Sequence, residues 1–116
     1  MERGEPERER ARVLNDEMRC GGPAIGGPNR WLLTAGVVGL GVQRVAEAVE
    51  RVKSFDAFNP DDDPCGERDF GSFELFGERL FWKIDYYNQA LDGGSPDPAD
   101  SSVTVRVLTI MLALEY

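Results

Sequence analysis

The sequence predicts a small α+β domain in which a three-stranded sheet packs with about three helices, in the order α-β-α-β-β-α. Apolar residues recur at helical spacing between residues 41 and 54, which predicts a helix with one buried face. Aromatic and polar residues alternate on both sides of Gly77, which predicts a β-hairpin over residues 70–87. The 116 residues are enough for one core, so we expect a single domain over residues 13–116 after a partly disordered, charged segment over residues 1–12.

The N-terminal half is predicted to contribute two helices and one strand. A first helix over residues 7–19 has an apolar face and ends at the Gly-Gly-Pro sequence of residues 21–23. The run WLLTAGVV, residues 31–38, is short and continuously apolar, which is typical of a buried strand. The second helix follows over residues 41–54. The predicted core residues are Ala11, Leu14 and Met18 in the first helix and Val42, Val45, Ala46, Val49 and Val52 in the second.

The hairpin is predicted to turn one of its faces towards the helices. Successive side chains of a strand point to opposite faces, so the alternation assigns each residue to one face. The face expected in the core carries Phe73, Leu75, Leu80, Trp82, Ile84 and Tyr86. The opposite face of the second strand carries Phe81, Lys83, Asp85 and Tyr87.

The C-terminal segment, residues 101–116, has features of both a helix and a strand. The β-branched run at residues 103–107 alternates as a strand does. The preceding sequence Asp-Pro-Ala-Asp, residues 97–100, resembles a helix start, with Asp at the N-cap and Pro at the first helical position. We therefore predict a helix. Its buried stripe would consist of Val103, Val107, Ile110, Met111 and Leu114.

The second half of the chain carries the net charge. Residues 1–54 contain nine Lys or Arg against eight Asp or Glu, and residues 55–116 contain four against thirteen, within a formal total of −8. Phosphate contacts require clustered Lys and Arg, so we expect no direct binding to nucleic acid or to an anionic membrane. A basic protein surface is the partner that this charge favours.

Several classes of activity lack the residues they require. The chain has no histidine, which excludes His-based triads and zinc sites with His ligands. The glycine-rich loop at residues 21–29 has neither a P-loop nor a GxGxxG pattern. Cys20 and Cys65 lack CxxC spacing, no apolar run approaches membrane-spanning length, and the charged N-terminus does not resemble a secretion signal. We therefore expect a cytoplasmic protein without a cofactor, for which binding is favoured over catalysis.

The acidic loop, residues 56–69, and the neighbouring hairpin form the candidate binding surface. Pro60 and Pro64 exclude regular secondary structure there, and five carboxylates fall within residues 61–69. A solvated loop whose carboxylates cap turns is the simpler alternative. The candidate binding residues are Asp61, Asp62, Asp63, Glu67, Arg68, Asp69, Asp85 and Tyr87.

Two chemical roles for these carboxylates remain as alternatives. Asp61, Asp63 and Asp69 offer oxygen ligands for a hard cation such as Mg²⁺ or Ca²⁺. An EF-hand loop does not fit, because Pro64 and Phe70 occupy the positions that need glycine and glutamate. The second role is general acid–base catalysis, for which the carboxylates considered are Glu67, Asp69 and Asp85. For Asp85 an ion pair with Lys83 is the simpler interpretation.

Several phrases of the sequence are more specific than its composition. They are LND at 14–16, LTAGV at 33–37, DPCGERDFG at 63–71, WKIDYY at 82–87, SPDPAD at 95–100 and RVLTIMLALEY at 106–116. Together they resemble the DUF3768 family over about residues 13–116. The resemblance implies a small bacterial protein, often encoded on mobile elements, with no assigned chemistry. The family pattern commonly has a histidine where this chain has Arg68 and an aromatic residue where it has Cys65, so an activity based on that histidine is not implied.

These observations favour a non-enzymatic interaction or regulatory domain that contacts a basic partner through the acidic loop and the hairpin. A DNA mimic that occupies the basic groove of a defence protein is one alternative, because carboxylates spaced over a surface can replace phosphates. A metal-dependent enzyme that uses residues 61–69 is the other. Converging carboxylates would indicate a metal or catalytic site, and carboxylates that point outward would indicate a partner surface.

Overall fold

The computed structural model describes residues 4–24 and 26–116 and shows an α+β fold with three helices and one four-stranded sheet. The helices are α1 (Glu5–Gly21), α2 (Ala35–Val38) and α3 (Val42–Lys53). The strands are β1 (Arg30–Leu33), β2 (Phe70–Leu75), β3 (Glu78–Tyr87) and β4 (Val105–Leu112). Short 3₁₀ turns occupy Ser101–Val103 and Ala113–Glu115.

The sheet has the order β1-β4-β3-β2, so the C-terminal strand lies in its interior. β4 pairs in parallel with β1 and antiparallel with β3, and β3 pairs antiparallel with β2. Trp82 of β3 lies opposite Ile110 of β4, and both side chains are fully buried. The helices pack on the face that carries these two residues, which we call the inner face; the opposite face is the outer face.

The predicted C-terminal helix is wrong, and the sheet therefore has four strands instead of three. Residues 105–112 form β4, with Val105 and Val107 on one face and Leu108 and Ile110 on the other, all buried. A central strand that is buried on both faces has a continuous apolar sequence, which does not distinguish it from a buried helix. The expected N-cap, Asp97, instead accepts the backbone N–H of Ala99 at 3.1 Å within the loop. Asp100 caps the short 3₁₀ turn, where its carboxylate accepts the backbone N–H of Ser102 at 2.9 Å.

The predicted strand over residues 31–38 is half strand and half helix. β1 ends at Leu33, and α2 occupies the second half of the run. The carboxylate of Glu115 accepts the backbone N–H of Gly36 at 3.0 Å and the hydroxyl of Thr34 at 2.6 Å. A side chain from the far end of the chain therefore satisfies the first turn of this helix, which the local apolar pattern does not reveal.

The hairpin and α3 have the predicted positions, with one change of helical face. Leu80 and Trp82 are fully buried on the inner face of β3, as predicted. In α3 the buried side chains are Ala48 and Val52, whereas Val42 is 87% exposed and Ala46 is also exposed. The buried stripe is therefore rotated relative to the predicted one. Its members are Val45, Ala48, Val49 and Val52, at the i, i+3, i+4 and i+7 positions of one helical face.

Helix α1 packs through polar as well as apolar residues. Its buried residues are Ala11, Met18, Asn15 and Arg19, while the predicted core residue Leu14 is only half-buried. The guanidinium of Arg19 donates to the carbonyl oxygens of Val52, Lys53 and Phe55 at the C-terminal end of α3. A cation there satisfies carbonyl groups that have no partner within the helix and interacts favourably with the helix dipole.

Helix α1 extends into the N-terminal segment of residues 1–12. Of residues 1–12, the first three lie outside the described part of the chain, and α1 begins at Glu5. Among the described residues, no helix combines the length and the apolar character that crossing a membrane requires.

Candidate functional site

The tip of the acidic loop points outward and is held in place by Asn59. Asp61 and Asp62 are exposed. The amide oxygen of Asn59 accepts the backbone N–H groups of both residues at 3.0 Å. Its Nδ2 also donates to the Asp62 carboxylate at 3.2 Å. An Asn side chain that binds the backbone two residues ahead is a common way to fix a turn. The two carboxylates therefore lie at a defined, solvent-facing turn.

The second part of the acidic loop folds back towards α1. Asp63 is buried, and its Oδ1 accepts the backbone N–H of Arg68 at 3.1 Å. Arg68 has a φ of 56°, in the left-handed region. Its guanidinium forms a salt bridge with Asp16 of α1 at 3.0 Å and lies over the ring of Phe58 at 5.1 Å. Asp63 and Arg68 therefore stabilise the loop and attach it to the helix.

Glu67 is part of a buried polar cluster between α1 and the sheet. Only 2% of its surface is exposed, and its Oε1 accepts the hydroxyl of Tyr86 at 2.9 Å. The amide Nδ2 of Asn15 donates to the same hydroxyl at 2.8 Å and to the backbone carbonyl of Glu67 at 3.0 Å. Asn15 therefore connects the helix, the acidic loop and β3.

Arg106 completes this cluster, which we call the polar cluster (Asn15, Glu67, Tyr86 and Arg106). Its Nε donates to Oδ1 of Asn15 at 2.7 Å, and its guanidinium also donates to the carbonyl of Pro98. The guanidinium lies 5.3 Å from the centre of the Tyr86 ring. Only 1% of Arg106 is exposed, and a charge buried to that extent needs partners of this kind.

The environment of Tyr86 keeps its hydroxyl protonated. Burial raises the pKa of Tyr86 far above its ordinary value of 10.0, and the negative charge of Asp69 raises it further. The hydroxyl therefore serves as a hydrogen-bond donor to Glu67 and is not a nucleophile at neutral pH. This arrangement is suited to fixing the packing of α1 on the sheet.

Asp85 and Tyr87 lie on the other face of the sheet from Tyr86, because alternate side chains of β3 point in opposite directions. The carboxylate of Asp85 forms a salt bridge with Lys83 at 2.9 Å, as the sequence suggested. That hydrogen bond raises the pKa of Lys83. The predicted surface of loop plus hairpin is therefore divided between two sides of the sheet.

Comparison with known proteins identifies the family. The family model described as "Protein of unknown function (DUF3768)" matches residues 33–115. The chain belongs to the DUF3768 family. No match was found among curated proteins or among solved structures. In this DUF3768 protein the matched range contains the acidic loop and three members of the polar cluster, while Asn15 lies before it.

In this DUF3768 chain, the acidic residues that the structure describes are not grouped as metal ligands. Among the residues that the structure describes, no group of three or more His, Cys, Asp or Glu side chains could hold a metal ion. Asp61 is exposed at the tip of the acidic loop, whereas Asp63 binds a backbone N–H within the loop. The alternative ligand set of Asp61, Asp63 and Asp69 is therefore not assembled. Cys20 and Cys65 are free and exposed.

Sequence reasoning missed the polar cluster, although its signal was present. Asn15 was not singled out for a site, and Tyr86 was assigned to the core. Each member comes from one of the phrases that resemble the family: LND, GERDFG, WKIDYY and RVLTIM. The signal in the sequence is that each of these phrases carries a polar residue able to hydrogen-bond with the others.

Proposed function

We propose that this DUF3768 protein is a non-enzymatic interaction domain that presents its acidic loop to a basic protein partner. The observation that carries the proposal is the exposure of Asp61 and Asp62 at a turn fixed by Asn59. Carboxylates on a preorganised turn lose little conformational freedom when a partner binds, which favours recognition by charge.

The remaining acidic-loop residues have structural roles in this proposal. Asp63 binds the backbone N–H of Arg68, and Glu67 belongs to the buried polar cluster. Because Asp85 and Tyr87 point to the other side of β3, we restrict the partner surface to the exposed tip of the acidic loop. A cytoplasmic location is part of the proposal, and the two free, exposed thiols support it.

The test uses neutral substitutions that leave the loop scaffold in place. The double variant D61N/D62N removes two exposed charges, and E47Q/E78Q removes two exposed charges elsewhere as a matched control. Each tagged protein captures partners from an extract of its source cells, and the recovered proteins are quantified by mass spectrometry. We expect wild type and E47Q/E78Q to recover equal amounts of a basic protein. D61N/D62N should recover several-fold less of that protein. Equal recovery by all three proteins would reject the acidic loop as the partner surface.

A DNA mimic is a special case of this proposal, in which the basic partner is a DNA-binding groove. The same variants test it with a restriction or CRISPR nuclease as the partner. Inhibition of DNA cleavage that weakens with rising salt and is lost in D61N/D62N would support mimicry. Inhibition that the double variant retains would exclude the acidic loop as the mimic.

A further inference from the structure

The two edges of the sheet differ in how they are protected from pairing with another strand. β1 has four residues, begins with the exposed Arg30 two positions after Pro28, and is followed at once by α2. Short length, charge and proline are the usual means by which proteins block an edge. β2 has six residues, no proline and a single charged residue, Glu74. β2 is therefore the edge that is open to another strand.

One backbone hydrogen bond shows which groups of β2 face outward. The backbone N–H of Ile84 donates to the carbonyl of Asp69 at 2.8 Å, so these two residues are a hydrogen-bonded pair within the β2–β3 hairpin. Such pairs alternate along an antiparallel ladder, and the backbone groups of the intervening residues point away from the partner strand. The intervening residues are Phe70, Ser72 and Glu74. In the described part of the chain, no backbone hydrogen bond joins these three residues to another element.

We propose that two copies of this chain associate through β2, paired antiparallel about a twofold axis at Ser72. This register places Ser72 opposite Ser72 of the second copy and Phe70 opposite Glu74 of the second copy. It engages all of the outward-facing backbone groups and forms about six N–H···O bonds. A register centred on Glu74 would place two carboxylates opposite each other and engage fewer groups.

Two further features favour a second copy as the occupant of this edge. Glu74, the one carboxylate of β2, forms a salt bridge with Arg79 of β3 at 2.9 Å. Its charge is therefore already paired when a second copy of β2 lies beside it. An aromatic cluster on the outer face lies beside the edge: Phe70 packs against Phe81 at 5.2 Å and against Tyr116 at 6.1 Å. Pairing of β2 would extend this aromatic surface across both copies.

The proposal predicts an unusual dependence on salt. Each copy has a formal charge of −8, so two copies repel each other at low ionic strength. Screening reduces that repulsion, whereas backbone hydrogen bonds are little affected. Self-association should therefore strengthen with salt, whereas binding of the acidic loop to a basic partner should weaken. The two proposals concern different surfaces and can fail independently.

Sedimentation equilibrium of the full chain tests the association directly. We expect a monomer–dimer equilibrium between about 1 μM and about 1 mM protein, with a dissociation constant that falls as NaCl rises from about 50 to about 500 mM. A monomer throughout this range at high salt would overturn the proposal.

Substitutions at Ser72 test the twofold register. Ser72→Lys and Ser72→Asp each place like charges opposite each other in the dimer, so both should raise its dissociation constant by roughly fivefold. If a strand of another protein binds this edge instead, one variant should strengthen its binding and the other should weaken it. That result would overturn self-pairing. No effect of either variant would also overturn it.

Ser72→Pro removes the outward N–H without breaking the β2–β3 ladder, and Ser72→Thr is the control that keeps this N–H. Loss of the two central hydrogen bonds should raise the dissociation constant roughly thirtyfold in Ser72→Pro and leave Ser72→Thr near wild type. A Ser72→Pro variant that is folded by circular dichroism and dimerises as wild type does would contradict the proposal. If Ser72→Pro does not fold, the Lys and Asp variants decide the question.

Discussion

Nδ2 of Asn15 in α1 lies 2.8 Å from the hydroxyl oxygen of Tyr86 in β3, 71 positions later in the chain. Oδ1 of the same side chain accepts Nε of Arg106 in β4. One fully buried amide therefore joins the first helix to the two central strands. Helix α1 therefore packs through this polar contact as well as through its buried apolar residues, Ala11 and Met18.

Asn15→Leu should strongly destabilise the fold. The substitution leaves Arg106 Nε and the Glu67 carbonyl without this partner in a buried site, and each lost partner costs roughly 1–3 kcal/mol. We expect the free energy of unfolding in urea to fall by about 3 kcal/mol. Glu17→Ala, on the exposed side of the same helix, is the control and should change it by less than about 0.5 kcal/mol. A loss in Asn15→Leu no larger than in the control would show that the polar cluster does not hold α1.

Arg19→Lys should also destabilise, although it keeps the charge. The planar guanidinium reaches the carbonyl oxygens of Val52, Lys53 and Phe55, and lies over the ring of Trp82 at 5.3 Å. A lysine ammonium cannot reproduce this fork and stacking geometry. Urea denaturation should show a loss of about 2 kcal/mol, since hydrogen bonds from a buried charge are lost. Arg12→Lys is the control and should be nearly neutral, because the salt bridge between Arg12 and Glu9 is a long contact of 3.8 Å near the surface.

Gly71→Ala should be destabilising because the site has no room for a methyl group. A Cβ at this position would overlap the indole Nε1 of Trp82 and lie 2.8 Å from the ring of Phe55. Overpacking of this kind costs about 1–3 kcal/mol. Gly93→Ala is the control, because its nearest neighbour would be 3.5 Å away. Thermal unfolding should separate the two variants, and equal melting temperatures would contradict the close packing of Trp82 against β2.

Glu115 should stabilise the fold at neutral pH and lose that effect in acid. Its hydrogen bond with Thr34, and those with the backbone N–H groups of Leu112 and Gly36, hold its pKa below the ordinary value of 4.5. A carboxyl group with a lowered folded-state pKa contributes stability that is complete above the unfolded value and is lost as pH falls through the folded value.

Wild type should therefore melt above Glu115→Gln at about pH 7, and the difference should narrow below about pH 4.5. Glu47→Gln, at an exposed position of α3, should show no such difference at either pH. If the difference in melting temperature between wild type and Glu115→Gln stays constant as the pH is lowered, the effect of Glu115 does not depend on its charge.

The hairpin was predictable because one face of β3 is buried and the other is half-exposed. Trp82 and Ile84 alternate with Lys83 and Asp85, and that period of two is visible in the sequence. The start of β4 alternates, but from Val107 onward it does not, because Val107 and Leu108 lie on opposite faces and are both buried. Its place in the sheet depends on β1 and β3, which lie far away in the sequence.

The acidic loop was visible in the sequence as a charged, proline-bounded segment. Which of its carboxylates are exposed and which are buried was not visible. Asp62 and Asp63 are neighbours of identical type, yet one is exposed and the other is buried against the backbone of Arg68. Asn15 and Arg19 were missed for a similar reason. Polar residues on a helix are assigned to the solvent face unless a distant partner requires them inside.

The most direct test of the proposed function is the affinity of the captured partner for purified wild type and D61N/D62N, measured by calorimetry at about 50 and about 300 mM NaCl. We expect the affinity of wild type for the partner to fall as salt rises. At low salt D61N/D62N should bind the partner less tightly than E47Q/E78Q does, and its affinity should change less with salt. Equal affinities of the two double variants, with the same salt dependence, would contradict recognition through the acidic loop.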